Sequence, residues 1–375
     1  MPPIRALIVD DAVVIRRLLA DVLAADPEIE VVGTAANGRL ALVKLPQVNP
    51  DIVIMDVEMP ELNGLETLPL LRKSHPRLPV IMFSTLTERG AATTLEALSL
   101  GATDYIAKPA NVGSASLAQQ RVREELIPKI KALCGRRSGP GAATAAARPH
   151  DTSAAGHPRL AAPARRPAGP PLRPEILAIG VSTGGPNALA ELLPALPADF
   201  PVPVVIVQHM PPLFTRFLAD RLDTKCHLRV VEAEPGMCVE RGRMYIAPGD
   251  WHMTVERSGG SVVIRTSQGP LENSCRPAVD VLFRSCAALY GGRTLAVILT
   301  GMGQDGLRGC QVLHEAGAQI LAQDEATSVV WGMPGFIAHE GLADRVLPLG
   351  QIAGEIVRRV TAPGPLRTHP ATAGA

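Results

Sequence analysis

The 375-residue chain has almost no net charge, no paired cysteine motif and no apolar run of membrane-spanning length. Each absence removes a class of function. Its 37 basic and 36 acidic residues leave a formal charge of +1. Residues 1–134 carry 14 basic and 16 acidic side chains, residues 176–375 carry 16 and 18, and only the segment between is basic, with 7 and 2. Neither flanking region has the positive field that nucleic acid demands, so no nucleic-acid partner is expected. Cys134, Cys226, Cys238, Cys275, Cys286 and Cys310 include no C-x-x-C pair and no Cys/His spacing suited to structural zinc, which reads as reduced cytosolic thiols. Met1-Pro2-Pro3-Ile4-Arg5 begins no long apolar stretch. The runs Pro203–Gln208 and Leu295–Leu299 fall far short of the roughly 20 residues of a membrane-spanning helix. The expectation is a soluble cytoplasmic protein without direct membrane insertion.

What the chain does have is 46% hydrophobic residues, enough for two separate cores. Residues 4–133 alternate short apolar runs with amphipathic stretches: Ala6–Val9 then 12–25, Val31–Gly33 then 38–48, Ile52–Met55 then 64–74, Val80–Phe83 then 88–100, and Tyr105–Ala107 then 114–133. Continuous apolar strands alternating with helices predict a parallel sheet covered on both faces. Pro46 and Pro69 fall late in two helical patterns and predict an end or a kink there. Residues 134–175 turn to Ala, Pro, Gly and Arg. They offer too little apolar area to offset ordering and predict a flexible tether. From Ile176 to about 360 the α/β rhythm resumes, interrupted by a hairpin at 252–257 and 261–266 around Ser258-Gly259-Gly260. Residues 361–375 predict a disordered tail. The expected fold class is α/β: two doubly wound parallel-sheet domains, the first five-stranded, the second larger and mostly parallel with a β-hairpin.

Polar residues of the first domain gather where strands finish: Asp10 and Asp11 after the first, Asp56 after the third, Ser84 after the fourth, Lys108 after the fifth. In an open parallel sheet these carboxyl ends share the ligand crevice. Three converging carboxylates repel one another unless a cation neutralises them, and a hard divalent ion with oxygen ligands, Mg²⁺ before Ca²⁺, meets that need. The chemistry suggested is phosphoryl transfer to Asp56, with the metal on Asp10, Asp11 and Asp56 and the Lys108 ammonium on a phosphoryl oxygen. Ser84 would donate a hydrogen bond to the phosphate. Helix capping accounts for any single strand-end Asp, though not for four strand ends together. The Lys108–Pro109 bond is a candidate cis peptide.

These residues carry a resemblance. Leu7-Ile8-Val9-Asp10-Asp11, Met55-Asp56-Val57-Glu58-Met59-Pro60 and Asp104-Tyr105-Ile106-Ala107-Lys108-Pro109 resemble a response-regulator receiver domain, from residue 4 to about 130. The resemblance implies Asp56 as acceptor of a phosphoryl group from a sensor histidine kinase. It also implies Tyr105 with Ser84 as the pair that registers the phosphate.

In the second domain, Gly180-Val181-Ser182-Thr183-Gly184-Gly185 follows a strand and satisfies G-x-S-x-G, a serine on a sharp strand-to-helix turn. Taken alone, that loop serves equally well as a phosphate cradle at a helix N-terminus. His209 follows the next strand, where a neutral imidazole can take the serine proton. Asp305 lies in Thr300-Gly301-Met302-Gly303-Gln304-Asp305-Gly306 after a third strand, where a carboxylate would orient that imidazole. The rival reading is a dinucleotide site. Gly301–Gly306 matches G-x-G-x-x-G, with Asp324 some 20 residues on. Against it, Asp305 would face the pyrophosphate with a like charge.

Gln208-His209-Met210-Pro211-Pro212, Tyr245-Ile246-Ala247-Pro248-Gly249-Asp250, Arg276-Pro277-Ala278-Val279-Asp280 and Gln323-Asp324-Glu325-Ala326-Thr327 resemble the chemotaxis protein-glutamate methylesterase (CheB) family, from about 176 to 357. The resemblance implies a catalytic triad of Ser182, His209 and Asp305. It implies demethylation of glutamate methyl esters on the methylation segments of chemoreceptors, deamidation of particular receptor glutamines, and no cofactor for the ester step. Backbone N–H groups near Thr183 and Met302 are the candidate oxyanion donors. A non-catalytic, phosphorylation-responsive adaptor is the other class to separate, and the intact triad argues against it.

Overall fold

The computed structural model describes residues 2–108, 115–135 and 171–362. Most of the expected tether, Pro109 with its peptide bond, and the tail from 363 onward lie outside the described residues. The first unit runs β1 (Ile4–Val9), α1 (Val13–Ala24), β2 (Ile29–Ala35), α2 (Gly38–Val48), β3 (Ile52–Asp56), α3 (Gly64–Ser74), β4 (Val80–Ser84), α4 (Glu88–Ser99), β5 (Asp104–Ala107) and α5 (Ala115–Cys134). Its five strands form one parallel sheet in the order β2-β1-β3-β4-β5. The apolar strands follow from burial on both faces: Leu7, Val9, Val53 and Met55 face one cluster, while Ala6, Ile8, Ile52 and Ile54 face another. Strand order reverses between β1 and β3, and the register Val9↔Met55 sets Asp10 beside Asp56 just past that switch point.

The second unit comprises β6 (Ile176–Val181), α6 (Gly185–Leu192), β7 (Val204–Gln208), α7 (Phe214–Asp223), β8 (Arg229–Glu232), β9 (Arg243–Ile246), β10 (His252–Ser258), β11 (Ser261–Ser267), α8 (Val279–Tyr290), β12 (Thr294–Ile298), α9 (Leu307–Glu315), β13 (Gln319–Gln323), α10 (Met333–His339), β14 (Arg345–Leu347) and α11 (Leu349–Thr361). Seven strands form a sheet in the order β14-β13-β12-β6-β7-β9-β8, and all of its pairings are parallel. The expected hairpin is a separate antiparallel ribbon of β10 and β11. It is tied to α8 by a hydrogen bond from the Val255 N–H to Ser285 Oγ at 3.1 Å. The chain leaves β6 for β7 on one side and returns to β12 on the other, so the switch point lies at β6. The loops after β6, β7 and β12 meet there.

At two prolines the helices do not end where an end or a kink was expected. α2 continues past Pro46 to Val48 and α3 past Pro69 to Ser74, so neither proline ends its helix. The lost N–H bond is offset by packing, since Leu45, Leu68 and Leu71 are buried around these prolines. The strand β14 and helix α11 were not anticipated. α11 buries Leu349, Ile352, Ile356 and Val360 at helical spacing, and between them Glu355 accepts hydrogen bonds from Arg358 and Arg359.

The two units touch. The Arg221 guanidinium on α7 donates to the Leu95 carbonyl of α4, and Asn187 Nδ2 on α6 to the Ala102 carbonyl at 3.4 Å. The Tyr105 ring stacks on Phe214, centroids 4.8 Å apart and planes 6° from parallel.

Candidate active site and acidic cluster

In the first unit, Asp10, Asp11 and Asp56 each present an oxygen, and the three oxygens lie within 4.8 Å of one another. Lys108 Nζ lies 2.8 Å from Asp56 Oδ2 and 3.1 Å from Asp10 Oδ2. Asp56 and Asp10 are buried, and the Val57 N–H donates to Asp56 Oδ1 at 2.8 Å. Burial raises the Asp56 carboxyl to about 6; Lys108 pulls it down, while the neighbouring Asp10 charge pushes it further up. Lys108 is itself raised, because its contact with Asp56 and Asp10 outweighs its burial. Three hard oxygen donors with one cation between them fit a divalent metal ion and a phosphoryl group. Ser84 is also buried at the strand end, yet its hydroxyl donates to the Gly90 carbonyl at 3.1 Å, toward α4. The Tyr105 ring lies flat against Phe214.

In the second unit, the register Val181↔Gln208 places Ser182 and His209 side by side, and the Ser182 N–H donates to the Thr300 carbonyl at 3.0 Å. Gly184, at φ 77°, supplies the left-handed turn that starts α6. Gly301 permits the loop after β12 to pass over the serine, since a Cβ there would stand 2.8 Å from Ser182 Cβ. His209 Nε2 is 2.7 Å from Asp305 Oδ2. Asp305 is deeply anchored. Its Oδ2 also accepts the Val279 N–H at 2.6 Å. Its Oδ1 accepts the N–H groups of Asp280 (3.1 Å) and Gly306 (3.0 Å) and Asn273 Nδ2 (2.9 Å). The Val279 and Asp280 donors are the free N–H groups of the buried N-terminus of α8, where an anion is favoured. Burial would raise the Asp305 carboxyl, but His209 and these N–H groups hold it below 3.8. Burial would likewise lower His209; the Asp305 hydrogen bond, followed by contact with Cys275, outweighs it and lifts the imidazole to about 10.

The structure thus brings His209 and Asp305 into direct contact and Ser182 to the adjacent strand end. Among the described residues, Ser182 Oγ has no hydrogen-bond partner, and neither do the backbone N–H groups of Thr183 and Met302. The Thr183 carbonyl accepts from Thr300 Oγ1 at 2.9 Å, which braces the two loops together. The loop 301–306 spends its glycines on this site, and Asp324 is engaged in a local turn with the Thr327 N–H and hydroxyl. The dinucleotide reading therefore loses both its pyrophosphate seat and its ribose carboxylate.

Several contributors escaped the sequence. Gln208 Nε2 donates to the Ser182 carbonyl at 3.0 Å and to the His209 carbonyl at 3.3 Å, locking both strand ends. Asn273 Nδ2 bridges Asp305 and the buried Asp280, and Cys275 Sγ lies 3.6 Å from His209 Nδ1. Gln208 and Asp280 stand inside motifs that carried the resemblance, so a strand-end or helix-start position could have flagged them. Asn273 and Cys275 come from a loop 32 and 66 residues from Asp305 and His209, which no spacing rule reaches.

Comparison with known proteins gives the family. Residues 177–356 match the family model of the CheB methylesterase, and residues 6–117 that of the response regulator receiver domain. A protein-glutamate methylesterase/protein-glutamine glutaminase of Trichodesmium erythraeum (strain IMS101) is 52% identical over 365 residues, covering 96% of this chain and 100% of that one. A protein of the same name from Nocardioides sp. (strain ATCC BAA-499 / JS614) is 53% identical over 361 residues, with 96% of each chain covered. A numbered relative of that name from Caulobacter vibrioides is 48% identical, covering 95% of this chain and 98% of that one. With similarity running through both sheets and the stretch between them, the chain belongs to the CheB methylesterase family and carries a response-regulator receiver domain ahead of its hydrolase.

Proposed function

We propose that this chain hydrolyses methyl esters of glutamate side chains in the methylation segments of chemoreceptors, using Ser182 as nucleophile, His209 as base and Asp305 as its orienting anion. The observation that carries the reading is the short His209–Asp305 contact, with Ser182 in register on the next strand. Asp305 accepts the proton-bearing Nε2, which leaves Nδ1 to take the serine proton. Ser182 Oγ then bonds to the ester carbonyl carbon, and the unpartnered N–H groups of Thr183 and Met302 receive the oxyanion. His209 returns the proton to the departing methanol, and water later cleaves the acyl-enzyme through the same base. With ammonia leaving instead, the same steps deamidate a receptor glutamine.

The receiver domain supplies control. A sensor histidine kinase is the phosphodonor, Mg²⁺ held by Asp10, Asp11 and Asp56 would offset charge during transfer, and Asp56 carries the phosphoryl group beside Lys108. In the resting chain the α4 and β5 side of the receiver lies on α6 and α7, the helices that follow Ser182 and His209. Phosphorylation draws Ser84 toward Asp56, moves Tyr105 off Phe214 and opens the hydrolase. The setting is the cytoplasm; no helix among the described residues is long and apolar enough to cross a membrane. The domain boundaries that fit are 4–133 for the receiver and 176–360 for the hydrolase, joined by a tether.

Release of methanol from methylated receptor, with and without a small acyl phosphate and Mg²⁺, tests the reading. Ser182→Ala is expected to lower turnover by about 10⁴-fold or more. Turnover that survives this change would remove Ser182 as nucleophile. Phe214→Ala is expected to raise the unphosphorylated rate severalfold. An unchanged resting rate would separate the ring stack from control.

A further inference from the structure

Once Asp305 has taken Nε2, the His209 ring has one nitrogen left to accept a proton, and in this structure the group facing it is the thiol of Cys275. The contact is built rather than incidental. Cys275 closes a tight turn with Glu272 through paired backbone bonds of 2.9 and 3.1 Å. That turn is pinned by two 2.6 Å bonds from the Arg284 guanidinium to Glu272, and by Asn273 Nδ2 reaching both Asp280 and Asp305. Thiol, imidazole and carboxylate therefore stand in line as Cys275–His209–Asp305, around the same ring that serves Ser182 in the proposed reaction.

The other cysteines lack this setting. Cys286 and Cys310 are fully buried, and burial pushes Cys134 up to about 12 and Cys226 to about 11. Cys238 is exposed, and among the described residues its thiol has no imidazole partner. Cys275 is half-buried, and its sulfur lies 3.6 Å from His209 Nδ1.

We propose that Cys275 is a modification site for hydroperoxides, and that its oxidation to the sulfenic acid switches the hydrolase off. His209 Nδ1 takes the thiol proton, and the sulfur attacks the terminal oxygen of the peroxide. An S–O bond forms as the O–O bond breaks. Sulfur is oxidised by two electrons, the peroxide is reduced by two, and the imidazolium proton passes to the leaving hydroxide or alkoxide to give water or an alcohol. The added oxygen then occupies the Nδ1 side of the ring, so the serine proton has no acceptor. Two equivalents of a small thiol reverse the change, giving back the Cys275 thiol, a disulfide and water.

This rests on His209 being the catalytic base, and the test separates the two claims. The full chain, phosphorylated with acyl phosphate and Mg²⁺, is treated with hydrogen peroxide, cleared with catalase and assayed for methanol release. Wild type is expected to lose about tenfold in rate, to regain it with dithiothreitol, and to carry a dimedone adduct at Cys275 in peptide mass spectrometry. In Cys275→Ser, which keeps a hydroxyl donor but resists oxidation, the ratio of rates after and before peroxide should stay near one. The same fractional loss in Cys275→Ser, or an inactivated wild type without label at Cys275, overturns the proposal. A second readout needs no turnover. In His209→Ala, dimedone labelling of Cys275 should fall about tenfold relative to Cys238 in the same digest, and undiminished labelling refutes the proton transfer. Reduced wild type that releases no methanol would instead refute the hydrolase reading and leave the thiol result standing.

Discussion

Asp56 and Asp305 are both buried carboxylates at the carboxyl edge of a parallel sheet, one closing β3 and the other in the loop after β12, and the protein treats them oppositely. Asp305 receives three backbone N–H groups, an amide and an imidazole, so its negative charge is fully provided for and its carboxyl lies below the ordinary value. Asp56 has one backbone N–H and a lysine shared with Asp10, so burial prevails and its carboxyl rises to about 6. The first is a permanent anion that orients. The second holds an unsatisfied charge, which a metal ion or a phosphoryl group can relieve. The two sites thus differ in how many donors surround one functional group.

The comparison is tested hardest at Asp305. Asp305→Asn keeps the shape but removes the anion, and is expected to lower methanol release by about 10⁴-fold. Because the base must be neutral, wild-type turnover should climb with pH across the neutral range, and the residual activity of Asp305→Asn should reach its plateau at lower pH. An unshifted profile would show that Asp305 does not raise His209. The pair also governs stability. His209 is raised above its unfolded value, so its contribution is full below about pH 6.5 and fades as pH climbs toward about 10.

Asp56 should behave in the reverse sense. Its folded value exceeds the ordinary 3.8, so the native state disfavours the anion and loses stability as pH rises from about 4 through 6. Asp56→Asn is therefore expected to stabilise the chain by roughly 1–3 kcal/mol at pH 7 in urea unfolding, with the gain shrinking near pH 4. A destabilised variant at pH 7 would mean that Lys108 alone satisfies Asp56. The same variant should keep the resting esterase rate and lose only the response to acyl phosphate.

The smallest effect is expected at Asn273. Asn273→Ala removes one of several donors to Asp305 and one to Asp280, and should cost about 1 kcal/mol with a severalfold loss in turnover. A loss as large as that of Asp305→Asn would mean that the bridge, rather than the α8 terminus, holds the carboxylate.

What the sequence could disclose was set by the distance over which its patterns act. Strand ends are local events, and topology gathers them, so Asp10, Asp56 and Lys108 could be placed together in one sheet, and Ser182 with His209 in the other, from apolar runs alone. Asp305 needed the return strand β12, and its competing glycine fingerprint was separated by charge. Which donors serve each carboxylate was not legible, because Asn273, Cys275 and the N-terminus of α8 approach through a turn whose course depends on a fold already made. The helices running through Pro46 and Pro69 make the same point, since local preference there yields to packing. β14 is too short to show a period, and α11 mixes Glu355 and Arg359 into the face it buries.

Phe214 has no solvent exposure in the resting chain, and the face of its ring is covered by Tyr105 of the other domain. Separating the domains wets both rings, at a cost of the order of 1–3 kcal/mol from this contact. A gap of that size leaves roughly one molecule in six to one in two hundred open with no signal at all. The enzyme would therefore idle rather than stop, and the apolar area of one stacked ring pair would help set how fast an unstimulated cell forgets.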